Sequence, residues 1–302
     1  MCRVLEKSDW HVLAGHRRTS NPWRLEHLLS PSVHWQNVIF DINDPENVTE
    51  FFSRHRVDLI VHCAAYGVDP RQQSFEQAMQ TNVMATDRLV QAAGASGVKR
   101  FIHVGTAAEY GRDQLQPLCE TDLITPKGVY GVSKASATLV ALSRAESMAL
   151  PLVVIRPFGM FGELEGRNKL VPAILEACRS QQVLPLTSGL QVRDYMYVED
   201  AAKACAILGE IQDFPSGEII NLGSGVGIRI RDLGGWVSDV VGGCDSLLGW
   251  GMLPQRANEV QSMTALVDKA KRLLGWQAGT PLIKGIERML DIENNFANRK
   301  RL

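Results

Sequence analysis

Val57-Asp58-Leu59-Ile60-Val61-His62-Cys63-Ala64-Ala65 is an apolar run of strand length that ends in small residues. Its apolar residues are consecutive, as in a strand covered on both faces. The segment after it, Phe75–Ala95, is long and amphipathic, like a helix that packs on a surface. The same pairing recurs downstream. Strand-length runs at Arg100–Gly105 and Leu152–Arg156 bracket a helical pattern over Gly128–Ala149. Upstream, His11–Gly15 and Asn37–Ile42 read as strands and Pro45–Arg54 as a helix, while 2–7 reads as the last turns of an earlier helix. This alternation predicts an α/β fold, a doubly wound and mostly parallel sheet with helices on both faces.

After Pro157 the alternation loosens. Helices are expected at Asn168–Arg179, Ala201–Glu210, Ile230–Val241, Thr264–Leu274 and Leu282–Asn294, and strands at Tyr195–Val198 and Glu218–Leu222. Asp200 is placed to cap the helix beginning at Ala201. The second half thus reads as a smaller C-terminal α/β lobe interleaved with the last strands of the first. The expected division gives 1–156 plus about 191–222 to the larger domain, and 157–190 plus about 223–302 to the lobe.

With 302 residues, 45% hydrophobic and 22% charged, the chain has an ordinary globular composition. A formal net charge of −1 gives no global field that would recruit nucleic acid or an acidic membrane. No apolar stretch reaches the length of a membrane helix, and the first residues do not form a signal peptide, so a cytoplasmic protein is expected. The six cysteines are scattered without metal-ligand spacing, which predicts reduced thiols and no metal site.

Chemistry is concentrated in Tyr130-Gly131-Val132-Ser133-Lys134 and in Thr106, at the end of an apolar run. A spacing of four on a helix puts the phenol and the ammonium on one face. An ammonium beside a phenol favours the phenolate, so the Tyr130 pKa is expected to fall. Such a tyrosine can exchange a proton with an alcohol–ketone pair, and a hydroxyl at the preceding strand tip could hold the same oxygen.

These segments resemble the extended short-chain dehydrogenase/reductase family, in its NAD(P)-dependent nucleotide-sugar epimerase/dehydratase branch. The matching stretches are 57–65, Thr81-Asn82-Val83, Val104-Gly105-Thr106-Ala107-Ala108-Glu109-Tyr110-Gly111 and 130–134. They continue with Ile155-Arg156-Pro157-Phe158, 192–200 and Ile220-Asn221-Leu222-Gly223-Ser224-Gly225. The resemblance implies a Rossmann-like sheet, a nicotinamide cofactor, a nucleotide-sugar substrate and a homodimer paired through Phe75–Ala95 and Gly128–Ala149. It makes Tyr130 the acid/base, Lys134 the partner of the nicotinamide ribose and Thr106 the substrate-orienting hydroxyl. Ala64, Ala65 and Pro157 would line the cofactor, and Asp41 would sit near the adenine or serve as a plain strand-end turn. Arg193 and Arg256 would grip the substrate diphosphate, for which guanidinium forks are suited. Asn82 reads as a strut.

The departures from the family pattern matter as much. The family opens with a strand and a glycine-rich turn that holds the pyrophosphate. Here the first glycine is Gly15, at the end of what reads as the second strand. The first strand and turn are therefore missing, and a start that lies upstream is the preferred explanation over a natural fragment. Ala107 and Ala108 replace the acid and base of the dehydratases, while Glu109 would project to the other side. The absence of any histidine after His103 argues against a combined 3,5-epimerase. Gly159 and Lys169 stand where relatives carry asparagines, and Lys169 could meet a phosphate instead. Arg17 and Arg18 follow the second strand where they would suit the 2′-phosphate of NADP, with NAD the alternative. The expectation is a reductase of a 4-keto-6-deoxy sugar nucleotide. The alternatives are a 4-epimerase with bound NAD and a non-catalytic sensor or scaffold on this fold.

Overall fold

The computed structural model describes residues 1–7, 10–28, 34–69, 71–113, 116–255 and 259–299. The chain opens with α1 (Cys2–Glu6), β1 (Val12–His16), α2 (Trp23–Leu28), β2 (Trp35–Ile39), α3 (Pro45–Arg54) and β3 (Leu59–His62). The Asp44 carboxylate caps α3 by accepting from the amides of Glu46 and Asn47, and Pro45 takes the first position, where its missing N–H costs nothing. Strands β1 and β2 pair in parallel from Val12 against Trp35 to His16 against Ile39. The strand expected at Asn37–Ile42 therefore starts earlier and stops at Ile39. Past its end, Asp41 Oδ1 accepts from the Asn43 amide at 3.0 Å, and Ile42 turns into the core.

The helix expected over Phe75–Ala95 is continuous but not uniform. It runs as α4 (Phe75–Ala78), a π-helical stretch at Met79–Met84 and α5 (Ala85–Ala95). Next come β4 (Arg100–Val104), a 3₁₀ turn at Ala107–Glu109, α6 (Gly128–Ser147) and β5 (Leu152–Pro157). Every residue of β5 is buried, Arg156 included, as its apolar run Leu152–Ile155 predicts for a strand covered on both faces. Alternate side chains feed two cores. Phe101, Leu152 and Val154 pack with Leu89, Val90 and Ala141 on one face of the sheet. Ile102, Val153 and Ile155 pack with Ala204, Leu208 and Leu274 on the other.

The remaining elements are β6 (Gly159–Phe161), α7 (Leu170–Ser180), β7 (Leu184–Leu186), β8 (Val192–Tyr197), α8 (Val198–Glu210), β9 (Ile219–Leu222), β10 (Gly227–Arg229), α9 (Ile230–Val240), β11 (Leu248–Trp250), β12 (Ser262–Met263), α10 (Asp268–Leu274) and α11 (Leu282–Arg299). The main sheet is parallel in the order β3-β4-β5-β9, and β1 with β2 forms a separate parallel pair. Among the described residues no strand joins β1 to β3. A third core gathers Phe161, Ile174, Tyr197, Leu233, Val237 and Met289 beneath β8 and its neighbours.

Three expectations are corrected here. The helix read over Thr264–Leu274 begins only at Asp268, because Ser262 and Met263 pair with β8 and Ala265 bridges to Leu118. Asp200 does not cap α8, which starts before it at Val198. Its buried carboxylate accepts from the Thr280 amide at 2.8 Å and the Thr280 hydroxyl at 3.1 Å, tying α8 to the approach to α11. The six cysteines are not all thiols. Folding sets Cys178 of α7 beside Cys244, 66 residues away, with their Cα atoms 5.5 Å apart, and the two form a disulfide that spacing could not disclose. No helix among the described residues is long and apolar enough to cross a membrane.

Candidate active site

Thr106 follows the C-terminal end of β4 and starts the Ala107–Glu109 turn. Its hydroxyl accepts from the Ala108 amide at 3.3 Å, and its own amide donates to Glu109 Oε1 at 2.8 Å, a reciprocal cap that fixes the residue. Tyr130 and Lys134 lie in the first turns of α6. That helix sits close against the turn at Gly131, where an added Cβ would come within 2.9 Å of the Ala108 carbonyl oxygen. The approach sets Tyr130 beside the Thr106 turn. Asn82, in the π-helical stretch, clamps the other side. Its side chain bonds both the N–H and the C=O of Tyr66, at 2.7 and 2.9 Å, and donates to Ser133 Oγ at 2.8 Å.

Lys134 is 2% exposed, and its ammonium donates to the Val104 carbonyl at 2.7 Å. Burial lowers its pKa to about 8, against the upward pull of Glu109 and Cys63. The Tyr130 phenol departs from expectation. Burial pushes its pKa above the ordinary value, the nearby Thr106 hydroxyl opposes this, and the Glu109 carboxylate adds to the rise. The lysine does not depress it, because the ammonium is turned to the end of β4 and the phenol is desolvated. Beneath them His62 and His103 are fully enclosed and held neutral by burial and by the Lys134 charge, His62 down to about 3.

The residues expected to line a cofactor gather at the C-terminal ends of parallel strands. Arg17 and Arg18 are exposed just past β1, and Asp41 lies past β2. Ala64 and Ala65 follow β3, and Pro157 closes β5 opposite Leu222 of β9. Open sheets of this kind bind ligands outside those ends. Solvent-facing Ala64, the Lys134 ammonium and the two arginines fit the ribose and adenosine parts of a dinucleotide. For the pyrophosphate, the described residues before β3 provide no glycine-rich turn, since Gly15 lies inside β1. Asp41 is engaged in its own turn, with its amide donating to Asn47 Oδ1 at 2.7 Å.

A cavity of about 240 Å³ is bordered by Ala108, Lys127, Arg193, Glu259 and Met263. Arg193 borders it, with its guanidinium bonded to the Glu259 carboxylate. Burial lowers the Arg193 pKa and Glu259 raises it. Lys169 precedes α7 and donates from Nζ to the Val68 carbonyl at 3.0 Å, which brings α7 over the loop beside Tyr130. Arg256 lies outside the described residues. Lys127 and Glu259 escaped the sequence reading. They meet only through folding, and neither belongs to a recognisable spacing.

Ala108, not a carboxylic acid, is the residue after the turn's first position that faces this cavity. Glu109 is wholly buried and bonded to Arg156 at 2.9 Å. The geometry leaves a tyrosine, a hydroxyl and a lysine at the end of a parallel sheet.

Known proteins share this fold. The chain is 29% identical over 253 residues to the low-salt glycan biosynthesis protein Agl12 of Haloferax volcanii, covering 83% of this chain and 79% of that one. It is 28% identical over 253 residues to a UDP-glucose 4-epimerase of Corynebacterium glutamicum, with 78% and 75% covered. The crystal structure of DesIV, a dTDP-glucose 4,6-dehydratase of Streptomyces venezuelae with NAD bound, superposes with a TM-score of 0.87 at 25% identity, covering 98% of this chain and 91% of that one. The profile of the NAD dependent epimerase/dehydratase family matches residues 1–223. With its parallel sheet and its Thr106–Tyr130–Lys134 cluster, the chain belongs to that family.

Proposed function

We propose that the protein is an NAD(P)-dependent oxidoreductase acting at C4 of a nucleotide sugar, with reduction of a 4-keto-6-deoxy sugar as its net reaction. The Thr106 hydroxyl set beside the Tyr130 phenol carries this reading. It puts an acid and an orienting hydroxyl around one oxygen, and Ala107 and Ala108 supply no carboxyl for dehydration. Nicotinamide bound beside Ala64, Ala65 and Pro157 would supply the hydride. Lys134 is placed to hold its ribose, Thr106 to orient the substrate carbonyl and Tyr130 to deliver the proton to that oxygen. A phenol whose pKa is raised is protonated at neutral pH and enters the reductive direction as an acid. Arg193, Arg256 and Lys169 supply positive charge for the diphosphate, with Arg193 released from Glu259. Arg17 and Arg18 favour NADP.

A second reading is 4-epimerisation with retained NAD, favoured by the epimerase among the relatives and by the NAD in DesIV. In both readings residues 1–156 and about 191–222 serve the cofactor, and the rest serve the sugar nucleotide.

The test supplies NADPH with a 4-keto-6-deoxy nucleotide sugar and follows cofactor absorbance. Stoichiometric oxidation supports the reductase. C4 inversion of a nucleotide hexose with no net oxidation replaces it with the epimerase. Absence of thermal stabilisation by NADPH and NADH alike would leave a scaffold.

A further inference from the structure

Glu109 lies outside the Thr–Tyr–Lys set, yet it is the most tightly enclosed charge near it, with no exposed surface. Oε1 accepts the Thr106 amide at 2.8 Å, and Oε2 accepts Arg156 Nε at 2.9 Å. Arg156, itself 2% exposed, stacks 4.8 Å from the centre of the Tyr110 ring. The carboxylate occupies space that only a glycine leaves open. A Cβ at Gly105 would lie 2.4 Å from Oε1.

We propose that Glu109 is a positioning residue for this site: seated in the space left by Gly105 and anchored by Arg156, it fixes the Thr106 main chain and serves as the buried counter-charge of Lys134. The proposal rests on the reading of Lys134 and Thr106 given above.

The surroundings of Lys134 single out Glu109. From β3 the lysine is faced by His62 and by the thiol of Cys63, and from β4 by His103 and the Val104 carbonyl. Both imidazoles are held neutral by burial. From α6 itself comes Tyr130, a neutral phenol, while Arg156 of β5 is bonded to the other oxygen of Glu109. Glu109 is thus the carboxylate among these groups: its Oε1 is bonded to the Thr106 amide, two residues beyond the Val104 carbonyl that holds the lysine Nζ, and it raises the lysine pKa against the burial that lowers it. An ammonium withdrawn from water needs such a partner to stay charged. The same negative charge keeps Tyr130 protonated, so one buried carboxylate biases both titrating groups towards the form a proton donor requires.

The test reads Lys134 directly in the full chain without substrate, so it remains readable if the C4 reaction is refuted. Lysines are labelled with ¹³C, and the signal lost in Lys134→Arg is followed against pH. The wild-type midpoint is expected near 8. Glu109→Gln keeps the shape and the acceptor towards Thr106 but removes the charge, and should lower the midpoint by roughly one pH unit. Glu109→Gln with Arg156→Met removes both charges, avoids a stranded guanidinium and should shift the midpoint in the same direction. A folded variant of either kind whose Lys134 midpoint stays at the wild-type value overturns the proposal. So does a wild-type midpoint at the ordinary lysine value.

Discussion

The Nζ of Lys134 donates a 2.7 Å hydrogen bond to the Val104 carbonyl at the end of β4, with 2% of the residue left exposed. Burial brings its pKa from 10.5 to about 8. The ammonium is therefore full below pH 8 and is lost as pH rises through that value. In the unfolded chain the proton stays on until about 10.5. Between the two values the unfolded state binds more protons, so this group makes the fold more stable as pH rises. Cofactor-dependent turnover should fall between pH 8 and 10 while the contribution of Lys134 to stability increases. Parallel pH series of initial rate and denaturant midpoint check this, and a rate that holds level to pH 10 contradicts it.

Tyr130→Phe removes the proton donor and leaves the ring in place. Turnover should drop by roughly 10²–10⁴-fold, the usual worth of a positioned general acid. Thr106→Val removes one hydrogen bond to the same oxygen and should cost about tenfold. Cofactor-induced thermal shifts should survive in both variants. A loss of those shifts in Tyr130→Phe would make the tyrosine a binding residue instead.

The parallel core was legible because β3, β4 and β5 are mostly apolar segments of strand length, a composition that marks strands covered on both faces. Thr106, Tyr130 and Lys134 were legible because a helical spacing and a strand end are local facts. The direction of the Tyr130 pKa was not, since it depends on which way the Lys134 ammonium turns and on how much water the fold excludes. Short strands such as β7, β10, β11 and β12 have two or three residues each and no period to read. Glu259 against Arg193, and Cys178 against Cys244, are meetings across 66 residues that only the tertiary structure creates.

The Cys178–Cys244 disulfide ties α7 to the loop beyond α9 and closes a long stretch of chain. Restricting such a loop in the unfolded state should contribute about 2–4 kcal/mol. Cys244→Ala, or reduction of the wild type, should lower the denaturant midpoint accordingly. The reductant should then have no further effect on the variant. Equal midpoints with and without reductant would show that the bond contributes nothing to the fold.

The helical run Phe75–Ala95 and α6 expose large apolar side chains. Phe75, Met84 and Leu139 are each more than half exposed. Homodimerisation through these helices would cover them. Light scattering coupled to size exclusion should give twice the 33.3 kDa chain mass. Leu139→Arg places a charge on that surface and should shift the protein to monomer. A monomeric wild type would refute the pairing.

The parallel strands are divided between a four-stranded sheet and the β1–β2 pair, and their protection from hydrogen exchange should differ accordingly. Two-stranded pairs are marginal by themselves. Strand β1 draws on Leu5 and Ala206 for its buried contacts, whereas β4 and β5 are packed on both faces by the two main cores. Local opening should therefore cost less at β1 and β2 than at β4 and β5. Amides at 13–16 and 36–39 should exchange at least tenfold faster than those at 101–104 and 153–156, a difference of about 1.4 kcal/mol in opening free energy. If Arg17, Arg18 and Asp41 help to hold a dinucleotide, NADPH should slow exchange in this pair more than elsewhere, because binding adds contacts where the sheet has fewest. Equal protection across both sheets in the protein alone would show that the β1–β2 pair opens only with the whole fold.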